Sequence, residues 1–248
     1  MKEEAKVTSR RFLIFCAGLI GAVILVRVSR VWLGTASLSR IGATAGALKA
    51  PASSPIIQKQ PINFVTRTFD PAAPPPDMPP MAPGEEAACE SNFKSDASVS
   101  GQSQQSDATH ATMTITQVKV TLGLDITIWA PPDVTQHVME HEQGHRQISE
   151  YYYQTADKLA EQIAEQYMGR QVAISGPDLD SASTGALQQM SQEITDEYNR
   201  ELNPDPAQLR FDAVTDHSRN DVVAQDAVAQ ILRELTLASN VPAANPAN

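Results

Sequence analysis

Between Val134 and Tyr167 the chain repeats a helical stripe: Val134, Val138, His141, His145, Ile148, Tyr152, Leu159, Ile163 and Tyr167 lie three, four or seven residues apart. The spacing predicts one continuous amphipathic helix of about ten turns, with both histidines on its inward face. Asp133, after Pro131-Pro132, is the expected N-cap, and Gly169 the expected stop. Ahead of this helix, Met113, Ile115, Val118, Val120, Leu122, Leu124, Ile126 and Ile128 alternate with Thr, Gln and Lys. That is strand periodicity with one slip of phase near Gln117, and it predicts one or two antiparallel strands over 112–129, with a bend or bulge at Gly123. Leu187, Met190, Ile194, Tyr198 and Leu202 predict a second helix over 184–202, ended by Asn203-Pro204-Asp205-Pro206. Val228, Ile231, Leu232 and Leu235 predict a third over 222–235. The intervening 170–183 and 207–218 read as loop and as irregular polar chain.

The first hundred residues carry different patterns. Residues 12–26 are an unbroken apolar run of fifteen, preceded by Arg10-Arg11 and followed by Arg27 and Arg30. Fifteen is short for a membrane span of about 20 residues and suits a signal-peptide core. Extended through Val31-Trp32-Leu33, the run also suits an uncleaved anchor over 12–33. Residues 1–35 are therefore expected to be a signal peptide or an N-terminal membrane anchor. Arg10-Arg11 reads equally as a twin-arginine export signal or as an ordinary basic leader. Residues 36–110 are expected to be linker: Ile62–Phe69 can form a short strand, residues 70–84 contain seven prolines, and 85–109 are rich in Ser, Gln and Asp with little to bury. The tail 238–248 is expected to be disordered.

Charge and cysteine content narrow the function classes. Residues 1–40 hold seven of the 19 Lys/Arg and two of the 29 Asp/Glu, so the rest of the chain carries 12 basic against 27 acidic residues. So acidic a body argues against nucleic-acid binding, which relies on cations that neutralise phosphates. Of the two cysteines, Cys16 lies in the apolar leader and only Cys89 in the body, so no disulfide framework is expected. Any metal site must then be built from His and carboxylates.

Candidate chemistry sits on the long helix. His141-Glu142-Gln143-Gly144-His145 reads HExxH. Residues four apart rise ~6 Å and share a helix face, so two imidazoles can hold one Zn²⁺. Glu142 then points beside the metal and can take a proton from a water that the metal activates. Gly144 costs ~1 kcal/mol in a helix, and its missing side chain would let another segment approach the ligands. A catalytic zinc takes three protein ligands and keeps an open position. Glu150, Glu161 and Glu165 lie too far along the axis, and His137 is ~12 Å from His145. The third ligand is expected from Phe211–Ser218, with His217 the first candidate and Asp212 the second; whichever does not bind metal would orient a ligand.

These segments together resemble a bacterial family of uncharacterised domains described as predicted secreted zinc-dependent proteases. The resemblance lies in the strand over 112–132, in the HExxH stretch followed by Ile148, and in Phe211-Asp212-Ala213-Val214-Thr215-Asp216-His217. Ser218 stands where that family tends to have Gly, and Val214 where an acidic residue is common. The resemblance implies hydrolysis of a protein or peptide substrate.

The expectation is therefore a zincin-like α+β domain over 111–237: short antiparallel strands preceding a long HExxH helix, plus two further helices. His141, His145 and His217 would bind Zn²⁺ and Glu142 would be the general base of a metallopeptidase. The strand before the helix would either align substrate by β-addition or only support the helix. The protein would be exported from a bacterial cytoplasm, periplasmic or secreted, or held at the inner membrane by residues 12–33. The alternative is a non-catalytic, membrane-anchored envelope interaction protein whose histidines are structural.

Overall fold

The computed structural model describes residues 8–12, 54–81 and 84–239. The apolar leader beyond Phe12 and the tail from residue 240 lie outside the described residues, and so do the export and anchoring expectations placed on them. No described helix is long and apolar enough to cross a membrane.

The fold is built on one hairpin of unusual length. β4 (Ala88–Asp107, 20 residues) and β5 (His110–Ala130, 21 residues) pair antiparallel along almost their whole length. At the tip, Asp107 Oδ1 accepts from the Thr109 N–H at 2.8 Å, an Asx turn that reverses the chain. The phase slip near Gln117 is a β-bulge: Ser100 faces Gln117 but Gly101 faces Ile115, leaving Thr116 as the extra residue. Inward positions switch from Ala111, Met113 and Ile115 to Val118, Val120 and Leu122 across it. Gly123 makes no bend; it pairs regularly with Lys94.

The other edge of β5 is tiled by three short strands. β6 (Gln171–Ser175) runs antiparallel to His110–Thr114, β2 (Ile56–Lys59) parallel to Lys119–Leu122, and β3 (Asn63–Thr68) parallel to Asp125–Ala130. On the far side of β4, the segment β1 (Thr8–Phe12) pairs antiparallel with Ser91–Ser95. β5 is thus interior to the sheet, and the β-addition expected on it has no edge to use.

Among the described residues five helices follow or interleave: α1 (Gln136–Gln154), α2 (Ala156–Glu165), α3 (Leu179–Glu201), α4 (Asp205–Thr215) and α5 (Ala224–Ser239). The main core lies between the sheet and α2 and α3, around Leu122, Leu124, Ile163, Ile194 and Tyr198. A second core joins α1, α4 and α5 through Ile148, Phe211, Val228 and Ile231.

These findings overturn the expected zincin-like α+β arrangement of short antiparallel strands. The strands are long, two members run parallel, and the sheet is layered against helices as an α/β fold with mixed pairing. The expected loop over 85–109 is mostly strand β4, whose inward positions, Phe93 apart, are small: Cys89, Ser91, Ser95, Ala97 and Val99. Their polar atoms are matched one for one, Ser91 to the Ser149 hydroxyl at 2.8 Å and Ser95 to Asn199 at 2.9 Å, so a polar stripe is buried without penalty.

The single ten-turn helix is two. Lys59 Nζ donates to the Gln154 carbonyl at 2.8 Å and pairs with Asp157 at 2.9 Å, drawing the last carbonyl of α1 off the helical ladder at Thr155. The N-cap is Thr135, which accepts from the Val138 N–H at 3.3 Å, rather than Asp133. The stretch 207–218, expected to be irregular, is largely α4. Its inward stripe is Ala207, Gln208, Phe211, Asp212 and Thr215, three polar residues among five, which conceals the helical period.

Candidate metal centre

α1 carries His141, Glu142 and His145 on a face that is almost fully buried. α4 crosses it at Gly144. Phe211 lies over that glycine, stacked on His141 (centroids 4.9 Å, interplanar 18°) and edge-on to His145 (4.9 Å, 82°). The close crossing brings the next residue, Asp212, to the imidazoles. Asp212 Oδ1 is 2.9 Å from His145 Nε2 and 3.4 Å from His141 Nε2, and the two Nε2 atoms are 3.1 Å apart.

His217 arrives from the turn after α4. Asp216, His217 and Ser218 all have left-handed backbone, with φ of 46°, 53° and 60°. For residues with a Cβ this costs about 1–2 kcal/mol each. Arg219 locks the turn, its Nη2 on Asp216 Oδ1 at 2.8 Å and its Nε on the Asp216 carbonyl at 3.0 Å. The result puts His217 Nδ1 3.5 Å from Asp212 Oδ1 and 3.8 Å from Glu85 Oε1. Donor atoms of His141, Asp212 and His217 lie within 4.8 Å of one another and can hold a metal ion.

Both α1 histidines are fixed in the tautomer that a metal requires. Gln208 Nε2 donates to the His145 carbonyl (3.1 Å) and to Ser149 Oγ (2.9 Å), which leaves Gln208 Oε1 to accept from His145 Nδ1–H at 2.7 Å. Thr215 Oγ1 donates to the Phe211 carbonyl at 2.8 Å, so its oxygen accepts from His141 Nδ1–H at 3.2 Å. Each ring therefore keeps its Nδ1 proton on an outer partner and turns its Nε2 toward Asp212, the atom that a metal would take once its proton has left, the arrangement by which outer partners orient histidine ligands.

Burial and charge act together on these groups. Burial lowers His141, partly offset by its hydrogen bond to Asp212. Burial also opposes a charged His145, but the Asp212 charge and hydrogen bond carry it up to about 9. Burial works against the Asp212 carboxylate too, and the His145 charge and both imidazole hydrogen bonds overcome it, holding the acid well below its ordinary range. Glu142 is pushed up to about 7 by burial, with the charges of Glu85 and Asp212 adding and that of His145 opposing; the Cys89 backbone N–H donates to it.

Glu142, His141, His145 and His217 face a narrow cleft of about 30 Å³, roofed by Pro79, Pro80 and Glu85. The Pro-rich stretch expected to be linker therefore lines the site. Cys89 borders the same cleft, and burial followed by the Glu142 charge raises its thiol well above the usual value, so it stays neutral.

The other candidates fall elsewhere. His137 Nε2 donates to the Asn220 carbonyl at 2.9 Å, and Glu150 pairs with Arg146. The HExxH trio and both distal candidates, His217 and Asp212, come together. Asp212 stands closer to the pair than its second rank from sequence implied. The roles of Gln208 and Thr215 went unread, although they lie four residues before and three after Asp212, a usable helical signal; Phe211 was quoted only as part of the distal stretch. No protein-family model, curated protein or solved structure matches the chain.

Proposed function

We propose that the protein is a zinc-dependent peptidase in which His141, His145 and Asp212 hold the ion and Glu142 is the general base. The observation that carries this reading is a triangle of donors. Two imidazole Nε2 atoms and one carboxylate oxygen stand 3.1, 2.9 and 3.4 Å apart. Three donors at ~2.0–2.1 Å from a tetrahedral ion are separated by roughly 3.3 Å, so the triangle fits one face of that tetrahedron. The tautomer locks on Gln208 and Thr215 support the same donor set, and the family resemblance points the same way.

A bound Zn²⁺ supplies Lewis acidity to a water and to the scissile carbonyl. Glu142, held by the Cys89 N–H and facing the cleft, takes the proton from that water and returns it to the leaving amine. His217, at the cleft and 23% exposed, bounds the open corner and donates to the carbonyl oxygen as charge develops there. In this reading His217, expected from sequence to be a ligand and standing with His141 and Asp212 among donors that could hold an ion, serves as a cleft donor. The apolar run of 12–26 supports an exported protein.

The test pairs metal content with turnover. The zinc-loaded protein should bind one ion per chain and hydrolyse an unstructured polypeptide. Glu142→Gln should keep the ion and lose about 10²–10⁴-fold in kcat. Wild-type turnover by Glu142→Gln would end the reading. A structural-metal reading has one observation in its favour: His217 lies within reach of the same ion. Four protein donors would close the site, and cobalt substitution distinguishes an open from a closed coordination sphere by its visible spectrum.

A further inference from the structure

The outer edge of β4 has backbone donors that can be followed one by one. The Cys89 N–H is taken by Glu142. The Ala97 N–H donates to Thr195 Oγ1 at 3.3 Å and the Val99 N–H to Ser191 Oγ at 3.2 Å, both from α3. Backbone groups two residues apart on a strand point to the same side. Ser91, Phe93 and Ser95 therefore present theirs on this edge as well. They stand opposite Phe12, Arg10 and Thr8 of β1. Side chains thus close the edge at both ends, and an extended segment covers the five residues between.

Position and direction tie this stretch to the cleft. Ser91 is two residues from Cys89, whose N–H holds Glu142. The pairing is antiparallel, so a segment running from Thr8 to Phe12 travels from Ser95 to Ser91. A polypeptide seated the same way delivers its following residues past Cys89 toward His141, Glu142 and His145. The general base thus faces a cleft that the same strand lines through Cys89.

We propose that the Ser91–Ser95 edge seats the residues of an extended polypeptide that precede its cut bond, and that Thr8–Phe12 is an intramolecular occupant of that seat. The proposal rests on the peptidase reading above. It makes the full-length chain latent: the cleft is served by an edge already filled by the chain's own leader. Export separates the two, since a leader held in or removed at the membrane takes Thr8–Phe12 away. Recognition is through main-chain hydrogen bonds, so the substrate class is unfolded or extended polypeptide with little dependence on side chains at those positions.

Arg10→Pro in the full-length protein tests this. Proline removes the donor opposite Phe93 and interrupts the pairing. Amide exchange is read in a Glu142→Gln background, with and without Arg10→Pro, so that no peptide is cut. Exchange at Ser91, Phe93 and Ser95 should quicken by at least about tenfold while Ala97 stays unchanged. A synthetic heptapeptide with the sequence of residues 8–14 should restore protection. With Glu142 intact and zinc bound, Arg10→Pro should raise kcat/KM on an unstructured polypeptide by about tenfold. Equal exchange in the two forms, or a heptapeptide that protects nothing, overturns the proposal. So does faster exchange without faster hydrolysis, which leaves the peptidase reading standing. Hydrolysis absent from every zinc-loaded form overturns that reading and the proposal with it.

Discussion

Gly144 on α1 and Phe211 on α4 are in such close contact that a Cβ on Gly144 would lie 2.3 Å from Phe211 Cζ. The glycine inside the HExxH stretch is therefore a seat for the ring that leads Asp212 to the histidines. Gly144→Ala raises helix propensity by ~1 kcal/mol but forces Phe211 away. Overpacking of this kind costs about 1–3 kcal/mol, so the net effect on stability is expected to be a modest loss. The larger effect is on the metal: zinc affinity should fall at least about tenfold as Asp212 moves with its neighbour. Competition titration with a chromophoric chelator measures it.

Asp212 and His217 separate the ligand from the cleft donor. Asp212→Asn keeps the shape and removes the charge that stands 2.9 Å from His145. Zinc affinity should fall more than about 100-fold. His217→Ala should weaken zinc by less than about tenfold and lower kcat, since its Nδ1 is 3.5 Å from Asp212 Oδ1 at the cleft. Equal losses of affinity for the two variants would make His217 a ligand and the site a closed one.

The acid–base state of His145 gives the metal-free and zinc-loaded proteins opposite pH dependence. His145 is raised from 6.5 to about 9 by Asp212. A raised histidine contributes stability that is complete below 6.5 and is lost as pH rises through about 9, on the order of 3 kcal/mol. Glu142, raised to about 7, adds a loss of the same sign from about 4.5 upward. Asp212, depressed in the fold, contributes stability that is lost only as pH falls through the acid range. Chelator-treated protein should therefore be most stable near pH 4–4.5 and lose stability above it, first through Glu142 and then through His145. Zinc needs a deprotonated His145, so zinc-loaded protein should gain stability over the interval where the stripped protein loses it. Uptake of zinc at pH 7 should release about one proton, mostly from His145, which calorimetry in buffers of different ionisation enthalpy reports. Parallel slopes in the two forms would remove His145 from the ligand set.

What could be read from the chain and what could not divide along one physical line. Apolar stripes were legible: β5 with its bulge, the helices through Ile148 and Ile163, through Ile194 and Tyr198, and through Val228 and Ile231. Polar stripes were not. β4 buries Ser91 and Ser95, and α4 buries Gln208, Asp212 and Thr215. Each of these is matched by a partner more than 50 residues away, from Ser149 for Ser91 to His145 for Gln208, and such a match leaves no mark on local periodicity. The HExxH spacing gave the first two donors because both lie on one helix. Ranking Asp212 against His217 needed the crossing of α4 over Gly144, which is tertiary.

The left-handed turn offers a change that should help rather than harm. Ser218 has φ 60°, a conformation that glycine adopts without a Cβ penalty. Ser218→Gly should stabilise the fold by about 1 kcal/mol, or roughly 2–4 °C in Tm. Its zinc affinity should stay within about twofold of wild type, because His217 keeps its place beside Asp212. A calorimetric scan of the chelated proteins makes the comparison.

Three separate pieces of chain close the long flank of β5: β2 and β3 from before the hairpin, β6 from after α2. The arrangement makes solubility depend on sequence neighbours that touch no catalytic group. A protease nick in the exposed proline stretch that released residues 54–68 would bare the backbone of Lys119–Ala130, a flat row of unsatisfied donors and acceptors flanked by Val, Leu and Ile. Two such nicked molecules present matching rows to each other. The molecule's tendency to clump is thus governed by the integrity of its dullest-looking segment, the one that precedes everything chemical in it.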